Sequence, residues 1–336
     1  MPRQLRHEDY TVGWICALPV EMAAAQEMFD EEHTDLERDP DDDENLYALG
    51  SIGGHNVAIV CLPAGRISNN SAATLATQMR VTFKGIRFGL MVGIGGGVPS
   101  EETDIRLGDI VVSKPHKVHG GVVQYDFGKS TPSGFERTGS LTSPPQILLN
   151  AVSTLQANHY RNRSSLLPHI ATITRQQHFA RTSAGPDILF RAAYDHVGGE
   201  TCNKCDKQQT IQREKRGSSE VVVHHGTIAS SNQVMKDGNT RDRLSLELGG
   251  VLCFETEAAR LMNSFPCLVI RGICDYADSH KNKKWQPYAA AAAAAYGKAL
   301  LSVIPTTEVA ERETAGESLP RTQSVEVQIP SPLHTM

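Results

Sequence analysis

Five short apolar runs limit what this chain can fold into: residues 11–18 (TVGWICAL), 56–62 (NVAIVCL), 88–94 (FGLMVGI), 109–112 (DIVV) and 267–274 (CLVIRGIC). They alternate only weakly, and near-continuous apolar runs of this length suit strands covered on both faces. Helical patterns separate them, at 20–30, 71–83, 144–158, 257–265 and 287–303. In the last, Pro287 is tolerated in a first turn, and residues 289–295 are all alanine, the strongest helix former. Strands alternating with helices predict an α/β fold: a single three-layer domain, with a central mixed β-sheet flanked by helices.

At 336 residues the chain is near the size at which one core stops growing, roughly 250–300 residues. Three stretches fall outside the strand–helix pattern. Residues 37–45 (ERDPDDDEN) read as a solvated acidic loop. Residues 198–219, rich in Lys, Arg, Gln, Gly and Ser, read as an exposed insertion. Residues 306–336 carry scattered Pro, Ser, Thr and Glu with no helical period, and read as a disordered tail or a linker. The domain is therefore expected over 8–305. The net charge of −5 provides no basic footprint for nucleic acid. No apolar run approaches the roughly 20 residues that span a bilayer, and the polar start has no secretory h-region. Of seven cysteines, Cys16, Cys61, Cys253, Cys267 and Cys274 sit inside apolar runs, as expected of buried, reduced thiols in a cytoplasmic protein.

Three segments can carry chemistry. Residues 88–99 (FGLMVGIGGGVP) read as a strand running into a turn at Gly93, Gly95, Gly96 and Gly97, where backbone N–H groups can approach a ligand. The spacing is neither a dinucleotide fingerprint nor a P-loop, and a plain tight turn explains it equally well. Residues 269–278 (VIRGICDYAD) place Asp275 just beyond an apolar strand, where open α/β sheets bind ligands; an Asx turn or a helix cap is the plainer reading. Residues 253–259 (CFETEAA) set Glu255 and Glu257 before a helix, where either can act as a first-turn dipole partner.

Together these segments resemble the purine nucleoside phosphorylase/uridine phosphorylase superfamily, its nucleosidase branch above all, and in particular the nucleoside phosphorylase-like domains of fungal proteins. The resemblance runs from Tyr10 to Pro305, with the motifs in the family's order. Ala17-Leu18-Pro19-Val20-Glu21 is similar to the segment whose glutamate positions the attacking water. Gly93–Gly97 resembles the glycine turn beneath the sugar, and Leu107–Val112 the family's GDIVVS strand. Thr227–Asn232 resembles the base-pocket strand, which brings in Ser231 and Asn232. Phe254-Glu255-Thr256-Glu257-Ala258 resembles EMEA, whose second glutamate holds the ribose hydroxyls. Arg271-Gly272-Ile273-Cys274-Asp275 resembles RxISD, whose aspartate is the acid at the purine. Three positions depart from the pattern: Thr256 stands for methionine, Val234 for the aromatic that stacks on the base, and Cys274 for the serine beside the acid. Phe254, or an aromatic of 125–127, is an alternative stacking partner.

The resemblance implies a purine nucleosidase, with adenine nucleosides the expected substrates, that hydrolyses an N-glycosidic bond to free base and ribose. The expected catalytic residues are Asp275 and Glu21. Substrate contacts are expected from Glu257, Thr256, Glu255, Phe254, Gly93, Gly95, Gly96, Ser231, Asn232 and Val234. No metal or organic cofactor is implied, and family members are homo-oligomers. Phosphorolysis requires cations around a phosphate dianion. The family's phosphate positions are Met91 and Ile94 here, and Arg66 is the remaining candidate, so phosphorolysis is the alternative reaction. A nucleoside-sensing module with little turnover is a third reading. Cys202-Asn203-Lys204-Cys205 has metal-ligand spacing, yet no second CxxC or HxxxH pair follows. The adjacent His224 and His225 would face opposite ways on a strand.

Overall fold

A computed structural model describes residues 5–36, 43–66, 69–217, 221–310, 312 and 314–315 of the chain. The strands are β1 Val12–Cys16, β2 Glu31–Glu32, β3 Tyr47–Ile52, β4 His55–Cys61, β5 Phe88–Gly97, β6 Ile110–Ser113 and β7 Val122–Gln124. They continue with β8 Gly128–Thr131, β9 Gly134–Arg137, β10 Val223–Gly226, β11 Ile228–Ser230, β12 Cys253–Glu255 and β13 Cys267–Asp275. The helices are α1 Pro19–Gln26, α2 Asn69–Thr82, α3 Gln146–Tyr160, α4 Leu166–Ile173, α5 Arg181–Ala184, α6 Gly238–Glu247, α7 Ala258–Ser264, α8 Gln286–Ser302 and α9 Thr306–Ala310.

Among the described residues, eleven strands form one mixed sheet, whose main path is β10-β6-β13-β5-β1-β4-β3-β2. The middle, β13, β5, β1 and β4, is parallel, and β6 runs antiparallel to β13. These are the apolar runs of the sequence, and they are buried because helices cover both faces. On one face α1, α3, α4 and α8 pack over Trp14, Phe88 and Leu90. On the other, α2 and α7 pack over Ile15, Met91 and Phe265. The alanines of α8 let that helix lie directly on the sheet: a Cβ on Gly272 of β13 would come 1.9 Å from the Ala289 carbonyl.

Strand β5 is longer than expected, and the glycines do not make a turn. Its first half pairs with β1, while Gly95 and Gly96 pair with Ile273 and Asp275 of β13. Gly96 and Gly97 also meet Phe254 and Cys253 of β12. None of the four glycines has a positive φ. They are needed for close approach rather than for a left-handed backbone. The register of β13 shifts between Ile273 and Asp275, a bulge that re-aims the strand end.

Three peripheral segments are tied down where they are described. Residues 37–42 of the acidic stretch lie outside the described residues. Asp43 is buried, not solvated, and accepts hydrogen bonds from Tyr47 Oη at 2.6 Å and Thr82 Oγ1 at 2.5 Å. Within 198–219, of which 218–219 lie outside the described residues, Cys205 is buried. There Arg216 grips Asp109 with two bonds of 2.7 and 2.6 Å. The expected tail begins as helix α9, with Val309 buried, and the Ala315 N–H bonds the Ile86 carbonyl at 2.7 Å. Residues 316–336 lie outside the described residues. All seven cysteines are free thiols, and no helix among the described residues is long and apolar enough to cross a membrane.

Candidate active site

The carboxyl ends of β1, β5, β12 and β13 meet at a buried cluster of charge. Arg271, on β13, is 1 % exposed. Its guanidinium pairs with Glu255, and with Glu257 at 3.2 Å. Glu21, in the first turn of α1, faces the same guanidinium across Gly93. A Cβ on Gly93 would lie 2.5 Å from Glu21 Oε1 and 2.6 Å from Arg271 Nη1, so only glycine leaves room for both.

Glu21 is held by three backbone donors: Ile94 N–H at 2.8 Å, Ala17 N–H at 2.7 Å and Leu18 N–H at 2.9 Å. Burial nevertheless pushes its carboxyl above the ordinary range, against the pull of Arg271 and these bonds. Glu255 is committed on both oxygens, to Arg271 and to the Glu257 and Ala258 N–H groups at 3.0–3.2 Å. Expected as a substrate contact, it is placed where it caps α7 and holds Arg271. The Ala259 N–H bonds Ser230 Oγ at 3.0 Å and the Arg260 N–H bonds Asn69 Oδ1 at 3.4 Å. Side chains from three parts of the chain thus satisfy the first turn of α7 and fix Glu257 just before it. The Thr256 hydroxyl donates to Glu257 Oε1. Burial pushes the Glu257 carboxyl up to about 7, against the attraction of Arg271.

Asp275 ends the same strand as Arg271, behind Gly96, where a Cβ would stand 2.7 Å from its Oδ1. Its Oδ1 accepts the Ala277 N–H at 2.9 Å, which is the Asx turn of the plainer reading. Its Oδ2 takes Cys274 Sγ–H at 3.0 Å and the Lys281 ammonium at 2.9 Å. Ala277 has φ 51, a left-handed conformation uncommon for alanine, and the chain after it returns Lys281 to the carboxylate. Burial alone would lower the Lys281 pKa, but Asp275 holds it above its ordinary value.

Phe254 is buried edge-on to Tyr125, with centroids 5.4 Å apart. Ser231 Oγ donates to Tyr125 Oη at 2.7 Å, and the Asn232 N–H bonds Asp126 at 2.8 Å. Val234 does not join them: it is 54 % exposed on the loop after β11. Met91 is buried in the core and Arg66 is exposed.

A family model described as "Phosphorylase superfamily" matches residues 11–303. The chain belongs to that superfamily. A nucleotide-binding leucine-rich repeat (NLR)-like protein of Hyaloscypha variabilis is 49 % identical over 89 % of this chain. The chain spans only 30 % of that relative's length. A 5′-methylthioadenosine/S-adenosylhomocysteine nucleosidase of Mycobacterium bovis is 26 % identical over 88 % of this chain and 97 % of its own. Among solved structures, the futalosine hydrolase of Helicobacter pylori superposes with a TM-score of 0.55 at 17 % identity, over 88 % of this chain and 99 % of its own. A methylthioadenosine/S-adenosylhomocysteine nucleosidase from S. pneumoniae gives 0.54 at 16 %, over 88 % of this chain and 100 % of its own. The mixed sheet flanked by helices is the fold these structures share.

Two residues of this superfamily member escape sequence reasoning. Lys281 finds Asp275 only through the turn at Ala277, which no pattern announces. Asn69 reaches Ser230 Oγ at 3.2 Å from 161 positions away. The signal for Arg271 was present, since a charged residue inside an apolar strand needs buried partners.

Proposed function

We propose that this member of the phosphorylase superfamily is a purine nucleosidase that hydrolyses the N-glycosidic bond, with adenine nucleosides as its substrates. One observation carries the reading: Glu255 and Glu257 pair with a single buried guanidinium that Glu21 faces across Gly93, and Asp275 ends the strand that bears it. In this reading Asp275 parts from Lys281 when substrate binds, takes up a proton from solvent and gives it to the purine N7, so that the base leaves neutral while positive charge grows on the sugar. Glu257 accepts hydrogen bonds from the ribose hydroxyls, and Glu21 takes a proton from the water that attacks C1′. Phe254 and Tyr125 form the apolar wall beside the base. The surplus of carboxylates over guanidinium favours a cationic sugar and repels a phosphate dianion. No cofactor enters the scheme.

The test is release of free base from adenosine, inosine, guanosine, methylthioadenosine and AMP, with and without phosphate. Hydrolysis predicts equal rates in phosphate-free buffer; ribose 1-phosphate as the only sugar product would refute it. Asp275→Asn is expected to slow release by about 10²–10⁴-fold. The similarity to an NLR-like protein, and the Asp275–Lys281 pair, favour a second reading as a nucleoside-sensing module. Tight binding of adenosine, with no base released over hours, would select it.

A further inference from the structure

The CxxC pair set aside in the sequence has its missing partner upstream. Cys202 Sγ, Cys205 Sγ and a ring nitrogen of His196 all lie within 4.8 Å of one another. The geometry points to a zinc site made by His196, Cys202 and Cys205; His280 stands outside that cluster, beside His196, and supplies the fourth donor if its ring moves in. A zinc ion bonded to sulfur at about 2.3 Å and nitrogen at about 2.0 Å holds such atoms about 3.5–3.8 Å apart, so a small contraction of the loop closes the site. Two thiolates and imidazoles select zinc over hard cations such as calcium or magnesium.

The surroundings fit a ligand. His196 Nε2 bonds the Thr201 carbonyl at 3.2 Å, which fixes the tautomer and leaves the lone pair on Nδ1. That lone pair takes the Gly198 N–H at 3.0 Å, a contact the metal would replace. The His280 ring stands edge-on to that of His196, with centroids 5.6 Å apart, and is stacked on Phe190 at 4.0 Å. It is 8 % exposed, yet neither of its nitrogens has a hydrogen-bond partner among the described residues. A buried imidazole in that state is costly unless something binds it. Asp278 Oδ1, at 3.7 Å from Nδ1, is too distant for a hydrogen bond.

The site would also act on its neighbourhood. Thr201, Cys202 and Asn203 line a small cavity of about 110 Å³ together with Asp275, Asp278 and His280. Zinc would fasten that loop beside Asp275 without touching substrate.

The full chain, purified under reductant without chelator, is expected to carry one zinc per molecule by elemental mass spectrometry. Stripped and titrated with cobalt(II) chloride, it is expected to show thiolate-to-cobalt charge-transfer absorption. Cys202→Ser or Cys205→Ser should weaken that absorption, and His280→Ala should weaken zinc affinity at least tenfold. Should the serine variants fail to fold, the wild-type cobalt spectrum decides alone. Substoichiometric zinc with no thiolate band overturns the site. So does a native Cys202–Cys205 disulfide that excludes metal. Unchanged zinc affinity in His280→Ala removes His280 from the ligand set. Base release plays no part in these readings, so the zinc site and the nucleosidase reading stand or fall separately.

Discussion

At the scale of the residue, the governing number is the ratio of carboxylates to guanidinium around Arg271. Two acids pair with one buried cation and a third faces it, and burial raises the carboxyls of Glu21 and Glu257 above the ordinary range. Glu257 is pushed up to about 7. On the proposed reading an ionised Glu257 is the better acceptor for ribose hydroxyls, so base release is expected to rise with pH around 7. The limb should vanish from the pH–rate profile of Glu257→Gln, with the rate itself lowered at least tenfold; a profile unchanged by the substitution would contradict the assignment. Gly96 offers a second check. Alanine there would press on the Asp275 carboxylate, from 2.7 Å, and on Ala277. Base release by Gly96→Ala is expected to drop more than tenfold in kcat with a smaller change in KM, as steady-state kinetics would show.

At the scale of the element, the structure separates what the sequence displays from what it conceals. β1, β4, β5, β6 and β13 were legible because burial on both faces leaves an unbroken apolar run. α8 was legible from its alanines. Helix α6 (GNTRDRLSLE) was not, because its polar surface gives no period. The length of β5 was missed because glycine normally marks a turn; here it marks side chains crowding in from α1 and β13. The candidate site was half legible: its carboxylates stand out in short motifs, while Lys281 and Asn69 reach it through folding alone. Two substitutions test the element contacts. Gly272→Ala would drive a methyl group into the Ala289 carbonyl and lift α8 from the sheet; a loss of about 1–3 kcal/mol is expected in urea unfolding, in line with overpacking elsewhere. Asn69→Ala would uncap α7, with a loss of about 1 kcal/mol by the same measurement.

At the scale of the whole molecule, the buried acids make stability depend on pH in two directions. Glu21 and Glu257 have native pKa values raised by burial, so they favour the folded state at low pH. The contribution of Glu257 is lost as pH rises from the ordinary carboxylate range through about 7, on the order of 3 kcal/mol, and that of Glu21 is lost in the same direction, above the ordinary range. Asp43 is shifted the opposite way, below its ordinary value: burial opposes ionisation, but the Thr82 and Tyr47 hydroxyls outweigh it. Its contribution disappears as pH falls below that range. The urea midpoint is therefore expected to be higher at mildly acidic pH than at pH 8, and Glu257→Gln should flatten the alkaline decline. A midpoint that climbs steadily to pH 8 would count against the buried carboxyls.

The bare stretch of β5 from Gly93 to Gly97 has a consequence for how this protein can vary. Ile94 is the one side chain in that stretch, and an atom added at Gly93 or Gly96 must be absorbed by moving Glu21 or Asp275, whereas one added at Gly95 or Gly97 presses on Cys253 or on Ile105 and Ile273. Selection for folding and selection for turnover then press on the same codons, and a mutational library screened for thermal stability alone should return glycine at 93 and 96.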